Sequence, residues 1–301
     1  MTMNFDGRVA IVTGSGSGLG RSHAMLLASR GAHVVVNDLG TDAATGMSLA
    51  QAVVDEIIAA GGSAVADRNS VATPEGGEAM VQLALDTFES IDIVINNAGI
   101  VRDRTFPKMT PELIDPVLAV HLNGAFNVTI PAYRHMKDKN YGRIVSTTSA
   151  AGLFGNFGQT NYGAAKMGLV GMTRVLALES RKYNIKANVI APIAATMMSA
   201  GILSEEWERR LKPELVSPVV AFLAHEDCDV SGQIFSAAAG RVAKVFIGEG
   251  PGIYDPELTL ETVRDAWAAI NSEEGYAVPM CAEDERLLLE AAFRKAGHPI
   301  A

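Results

Sequence analysis

The stretch NYGAAK, Asn161 to Lys166, sets a tyrosine and a lysine four residues apart. Positions i and i+4 of a helix share a face, so Tyr162 and Lys166 point the same way. Alone, neither is a good proton carrier at neutral pH, since tyrosine titrates near ~10 and lysine near ~10.4. As a pair they can be. An ammonium within about 4–6 Å favours the phenolate, and a phenolate is a strong enough base to take an alcohol proton. Ser149 stands about a dozen residues earlier, where the strand-like run GRIVSTTS ends.

Such a pair needs a scaffold, and the pattern of the chain supplies one. Apolar runs (RVAIVT, AHVVVND, SAVA, IDIVINNAG, GRIVSTTS, IKANVIAP, GQIFSAAAG) alternate with helical patterns. That alternation predicts βαβ units and a doubly wound α/β domain with a Rossmann-like parallel sheet. The domain is expected over residues 1–250, with a C-terminal helical extension over 251–301. In such sheets ligands bind at the C-terminal strand ends, where NNAG and Ser149 fall. TGSGSGLG follows the first strand and opens the first helix, so Gly14, Gly18 and Gly20 allow a tight turn against a pyrophosphate. Asp38 ends the second strand about twenty residues on, placed to accept from the adenosine ribose and to repel a 2′-phosphate. No Arg or Lys occupies Ser15, Ser17 or Leu39. The expected cofactor is therefore NAD.

With Thr13-Gly14, Gly18, Gly20, NNAG, Asn123 in HLNG, Ser149 and the Tyr162/Lys166 pair in order, the chain resembles the short-chain dehydrogenase/reductase superfamily. VVVNDLG, NNAGIVRDRTF, YGRIV, GNFGQTNYGAAK and SRKYNIKANVIAP narrow the likeness. They are similar to the group formed by the dehydrogenase part of peroxisomal multifunctional enzyme type 2 and its stand-alone bacterial relatives. The resemblance implies that Tyr162 exchanges a proton with the substrate oxygen and that Lys166 binds the nicotinamide ribose and lowers the tyrosine pKa. It implies that Ser149 bonds the substrate oxygen and that Asn123 holds a relay water. It extends cofactor binding to Ser17, Leu19, Asn69, Ser70, Val71, Asn97, Ala98, Gly99, Pro192 and Ile193. The implied substrates are (3R)-hydroxyacyl-CoA esters, fatty or on a steroid side chain, or 17β-hydroxysteroids. Two features depart from the superfamily: Pro192-Ile193 replaces Pro-Gly, and Asn69 replaces an acid at the adenine.

Substrate clues are fewer. Arg102, Arg104 and Lys108 follow NNAG and could meet the phosphates of a CoA ester. Leu153, Phe154 and Phe157 could line an apolar pocket, and MMSAGILSEEW is a candidate lid. Ala164, Gly168, Gly171 and Val175 form a small-residue stripe opposite Tyr162, which predicts a homodimer or homotetramer. Two competing readings are an NADPH-linked 3-oxoacyl-carrier-protein reductase, opposed by Asp38, and a catalytically idle NAD-binding protein, opposed by the complete Ser149/Tyr162/Lys166 set. A net charge of −9 argues against nucleic acid as a partner. No run of about 18 continuous apolar residues suggests a membrane span. Cys228 and Cys281, in unlike contexts, suggest neither zinc nor a disulfide framework. With no room for a signal peptide before the first strand, the expected location is cytoplasmic.

Overall fold

The computed structural model describes residues 3–196 and 204–298, and divides into two compact units, Met1–Lys244 and Val245–Ala301. The first is built on a sheet of eight strands: β1 Val9–Thr13, β2 His33–Asn37, β3 Ser63–Asp67, β4 Ile93–Asn96, β5 Gly142–Thr147, β6 Ile185–Ile193, β7 Ile234–Ala238 and β8 Arg241–Val245. Their order is β3-β2-β1-β4-β5-β6-β7-β8, parallel from β3 through β7. The order reverses between β1 and β4, which opens a crevice at their C-terminal ends. The last sequence run was expected to be the final strand. Instead Ala239 (φ 49°) and Gly240 (φ 82°) make a two-residue turn and β8 follows, with the positive φ at both positions that a type I′ hairpin turn requires.

The strands are apolar runs because both faces are covered. Ala10, Val12, Val34, Val36, Ile93 and Ile95 pack with α1 (Gly18–Ser29), α2 (Leu49–Ala59) and α9 (Ser217–Ala224). Val9, Ile11, Val35 and Val94 point the other way, onto α3 (Pro74–Phe88) and α5 (Gly124–Lys139). Neighbouring residues thus serve opposite cores, as the two-residue period dictates. Helix starts follow local chemistry. Ser48 caps α2 by accepting from Gln51 N, and Thr73 caps α3 by accepting from Gly76 N with Pro74 behind it.

The helix expected over Pro111 to Lys137 is interrupted. α4 (Pro111–Leu118) passes through a π turn, Ala119–Asn123, before α5. The run from Pro111 to Lys139 contains an 18-residue stretch of mean hydropathy 1.3, enough by length and composition alone to cross a membrane. Val128, Ala132 and Met136 pack one face of it against the sheet. Between β5 and β6 lie α6 (Ala150–Phe154) and α7 (Thr160–Glu179), and α8 (Glu205–Arg210) precedes α9. Most of the candidate lid, residues 197–203, lies outside the described residues. In the second unit the run LTLETVRDAWAAINS forms two short helices, α10 (Leu260–Asp265) and α11 (Trp267–Ile270), with α12 (Ala282–Lys295) after them. Phe246 stacks on Tyr276 at 5.5 Å and Tyr254 meets Phe293 at 4.9 Å within this unit.

Candidate active site

The glycine turn and the NNAG loop are built as one object. Asn97 donates from Nδ2 to Thr13 O (2.9 Å) and Gly14 O (3.0 Å), while Thr13 Oγ1 accepts from Asn97 N and Ala98 N. A Cβ on Gly20 would lie 2.6 Å from that Asn97 nitrogen, and one on Gly14 would meet the Ala98 backbone at 2.7 Å. Gly14 and Gly18 both have positive φ. Ser17 is the N-cap of α1 but does not cap it with its side chain, so the first amides of the helix are not claimed by that hydroxyl. At the end of β2, Asp38 accepts from Gly16 N (2.9 Å) and Gly40 N (2.7 Å).

These elements wall a cleft of about 640 Å³. Of the residues singled out in the sequence, it brings together Gly14, Ser17, Gly18, Leu19, Gly20, Asp38, Asn97, Gly99, Ser149, Tyr162, Lys166, Pro192 and Ile193. Pro192 sits beyond the last β5 pairing, Thr147↔Ile190, where β6 is paired with β7 only. The size suits a dinucleotide site. The residues also fit a dinucleotide chemically: glycines where a side chain would clash, an acid at the β2 end, and the buried Oγ1 of cleft-lining Thr147, which has no hydrogen-bond partner among the described residues.

Ser149 stands two residues past β5 and caps α6, its Oγ accepting from Ala151 N at 3.2 Å. α6 then packs so closely on α7 that a Cβ on Gly152 would come within 2.7 Å of Lys166 Cβ. Lys166 is buried, donates to Thr147 O at 2.6 Å, and has its Nζ 5.5 Å from the centre of the Tyr162 ring. Asn161 holds the helix start. Its Nδ2 donates to Arg102 O and Leu113 O, and its Oδ1 accepts from Tyr162 N. Sequence reading passed over Asn161, although an amide beside the tyrosine is the signal of such a clamp.

The electrostatics correct one expectation. Burial pushes the Tyr162 phenol up, with the Ser149 hydrogen bond pulling the other way, while burial brings Lys166 down to about 7. Desolvation is the leading cause for both groups. A lowered tyrosine is therefore not a property of the protein groups alone.

Asn123 is a second correction. It is exposed, and it does not line the cleft. The residue that faces Tyr162 is His121, buried, with its ring edge-on at 5.1 Å between centroids. In the π turn that carries both, residues two apart lie on nearly opposite sides, so only one of the two faces the cleft. The signal was the histidine in the same HLNG motif.

Other candidates lie elsewhere. Phe154 and Phe157 are 73% and 89% exposed and, with Leu153, do not line the cleft; Asn156 and Gln159 do. Asn69 donates to Asp67 Oδ2 (2.8 Å), Ser70 Oγ accepts from Ala72 N, and neither lines the cleft. Val71 and Ala98 instead line a second, small cavity that shares His121 with it. Arg102, Arg104 and Lys108 are exposed on the loop that begins at cleft-lining Val101, and Gln159 donates to Asp103 on that loop.

The family model for the short chain dehydrogenase matches residues 8–207. The chain belongs to that family. It is 48% identical over 275 residues to peroxisomal multifunctional enzyme type 2 of Mus musculus, covering 89% of this chain and 37% of the mouse protein. It is 36% identical over 308 residues to a hydroxyacyl-CoA dehydrogenase of Mycobacterium tuberculosis, with 92% and 93% covered. The solved full-length peroxisomal multifunctional enzyme type 2 of Drosophila melanogaster superposes with a TM-score of 0.82 at 40% identity, over 97% of this chain and 50% of that one. This chain thus spans half or less of the multifunctional relatives named. As a family member it is an oxidoreductase that acts on CH–OH groups with a nicotinamide cofactor.

Proposed function

We propose that this chain is an NAD-dependent dehydrogenase that interconverts a 3-hydroxyacyl-CoA and its 3-oxo form. The observation that carries the reading is one cleft holding Asp38 at one end and Ser149, Tyr162 and Lys166 at the other. Asp38 offers a carboxylate to ribose hydroxyls and repels a 2′-phosphate, which favours NAD over NADP. The exposed Arg102, Arg104 and Lys108 give phosphate-binding charge beside the cleft. The mycobacterial relative's name supports the substrate class. A 17β-hydroxysteroid is a weaker second reading, because the aromatics expected to line an apolar pocket stand in solvent.

The glycine turn and the amides of α1 would hold the cofactor phosphates, with Lys166 and Tyr162 at the nicotinamide ribose. When bound, an oxidised nicotinamide supplies the hydride acceptor and a positive charge. Ser149 orients the substrate oxygen and Tyr162 takes its proton. Lys166 keeps a donor at the tyrosine's side of the cleft. Turnover of 3-hydroxyacyl-CoA esters and of 17β-hydroxysteroids with NAD⁺ and NADP⁺ tests the reading in wild type and Tyr162→Phe. The expected result is NAD⁺-linked oxidation of the CoA esters that falls by about 10²–10⁴ in the variant. A preference for NADP⁺ would sink the Asp38 argument, and equal rates in the two proteins the tyrosine mechanism.

We also propose a homo-oligomer. Met167, Gly171 and Val175 of α7, with Phe126 and Ile130 of α5, are exposed, and a Cβ on Gly171 would touch nothing within 4 Å. Gly168 of the expected stripe serves the chain itself, since a Cβ there would press Leu122 at 3.0 Å. Val175→Asp should shift the mass in light scattering from oligomer to monomer; a monomeric wild type would end the proposal.

A further inference from the structure

His121 is the residue that the chemistry above leaves without a task. Its ring fills the space where Gly99 lacks a side chain, for a Cβ there would lie 2.3 Å from His121 Cε1. Nε2 is 2.7 Å from Ile100 O and 3.0 Å from Ile100 N. The Ile100 N–H points at Nε2 and asks for a lone pair there, while the Ile100 carbonyl asks for a proton; the carbonyl is the closer, and two lone pairs at 2.7 Å would repel, so the proton is assigned to Nε2. Nδ1 is then an acceptor. It is buried and has no hydrogen-bond partner among the described residues, and the same is true of Asn96 Oδ1. Both residues line one small cavity of about 10 Å³ at β4 and the π turn, together with Thr13, Val71, Gly124 and Leu169. That volume is about one water, and a water's two O–H groups suit two acceptors.

We propose that His121 is a positioning residue for Tyr162, locked as its Nε2–H tautomer by the Ile100 carbonyl and by a single buried water that donates to His121 Nδ1 and Asn96 Oδ1. The water and the carbonyl fix the ring from two sides, and the ring edge in turn fixes the plane of the Tyr162 phenol. Burial and the charge of Lys166 hold the imidazole neutral, with a pKa of about 3. His121 therefore brings no proton of its own to the reaction. This inference rests on the proposed role of Tyr162, but its first test does not.

¹⁵N NMR of the full chain reads the ring directly. The expected result for His121 is a neutral Nε2–H imidazole from about pH 5 to 8, with Nδ1 shifted by an accepted hydrogen bond and a long-lived water contact. In Asn96→Leu, which fills the cavity, the Nδ1 shift and the water contact should vanish. An Nδ1–H tautomer, an imidazolium at pH 7 or an unchanged Nδ1 signal in Asn96→Leu would overturn the proposal, whatever the substrate is. Kinetics with the active alcohol then test positioning. His121→Phe keeps an aromatic edge but loses both nitrogens, and should lower kcat about tenfold while leaving the NAD⁺ dissociation constant unchanged. His121→Gln, which keeps an N–H for Ile100 O, should recover part of that loss. A wild-type kcat in His121→Phe, or a loss seen only in cofactor affinity, would overturn it.

Discussion

Two buried cations mark the two ends of β5, and they are held in opposite ways. At its start Arg143 is 1% exposed and saturated: Nε donates to His225 O, Nη1 to Gly142 O and Asn184 O, and Nη2 to Glu226 O. The Tyr141 ring lies 4.6 Å from its guanidinium carbon, and Arg8 sits on the same ring at 3.6 Å. At the strand's end Lys166 is 3% exposed, yet its three donors have one described acceptor, Thr147 O. A buried charge is tolerable when its hydrogen bonds are made inside the protein. Arg143 meets that condition and so belongs to the scaffold. Lys166 does not, and retains donors for groups that enter the cleft. Saturation separates structural from functional burial better than burial itself.

Removing Arg143 tests the saturated end. Arg143→Leu strips the donors from four backbone carbonyls and should cost about 3–5 kcal/mol of unfolding free energy in urea titrations. Turnover per folded molecule should stay near wild type. Arg143→Lys, which restores charge without the planar fork, should recover less than half of the loss. A cost of under about 1 kcal/mol for the leucine variant would mean that saturation confers nothing.

The unsaturated end should respond in reverse. Lys166→Met removes a charge that the fold never fully satisfies, so stability should hold or rise while kcat falls by about 10²–10⁴. Steady-state rates and urea midpoints on the same preparation decide it. A stability loss matching that of Arg143→Leu, with activity kept, would erase the distinction between the two ends.

Much of this was legible because it depends on local chemistry. Paired periodicities gave the parallel sheet, and Gly14, Gly18 and Gly20 followed from the space a phosphate turn needs. Tyr162 and Lys166 share a helix face by spacing alone. What stayed hidden depends on contacts far apart in the chain. Arg143 in YGRIV looked like one more residue of a motif, because its acceptors come from residues 184, 225 and 226. Asn123 was chosen over His121 because a motif does not reveal which of two polar neighbours faces inward. Phe154 and Phe157 read as pocket residues because composition cannot tell an apolar wall from an apolar rim. The rise of Tyr162 and the fall of Lys166 were hidden for the same reason: both come from burial.

The smallest effect follows from that fall. Lys166 titrates at about 7 when folded and at its ordinary value of 10.5 when unfolded. Below pH 7 both states hold the proton, and the folded state bears the full cost of burying it. Between about 7 and 10.5 the unfolded chain binds the proton and the folded chain does not, so stability rises with pH. The slope is at most about 1.4 kcal/mol per pH unit, and above 10.5 it disappears. Wild type without cofactor should therefore gain stability from pH 7 to 9 in urea titrations, and Lys166→Met should lose that gain. Arg143 is an arginine and stays charged across this range, so Arg143→Leu with Lys166 intact, which adds no titrating group, should keep the gain. A flat wild-type profile would show Lys166 protonated throughout, its charge satisfied as well as that of Arg143, and the two ends of β5 would then be alike.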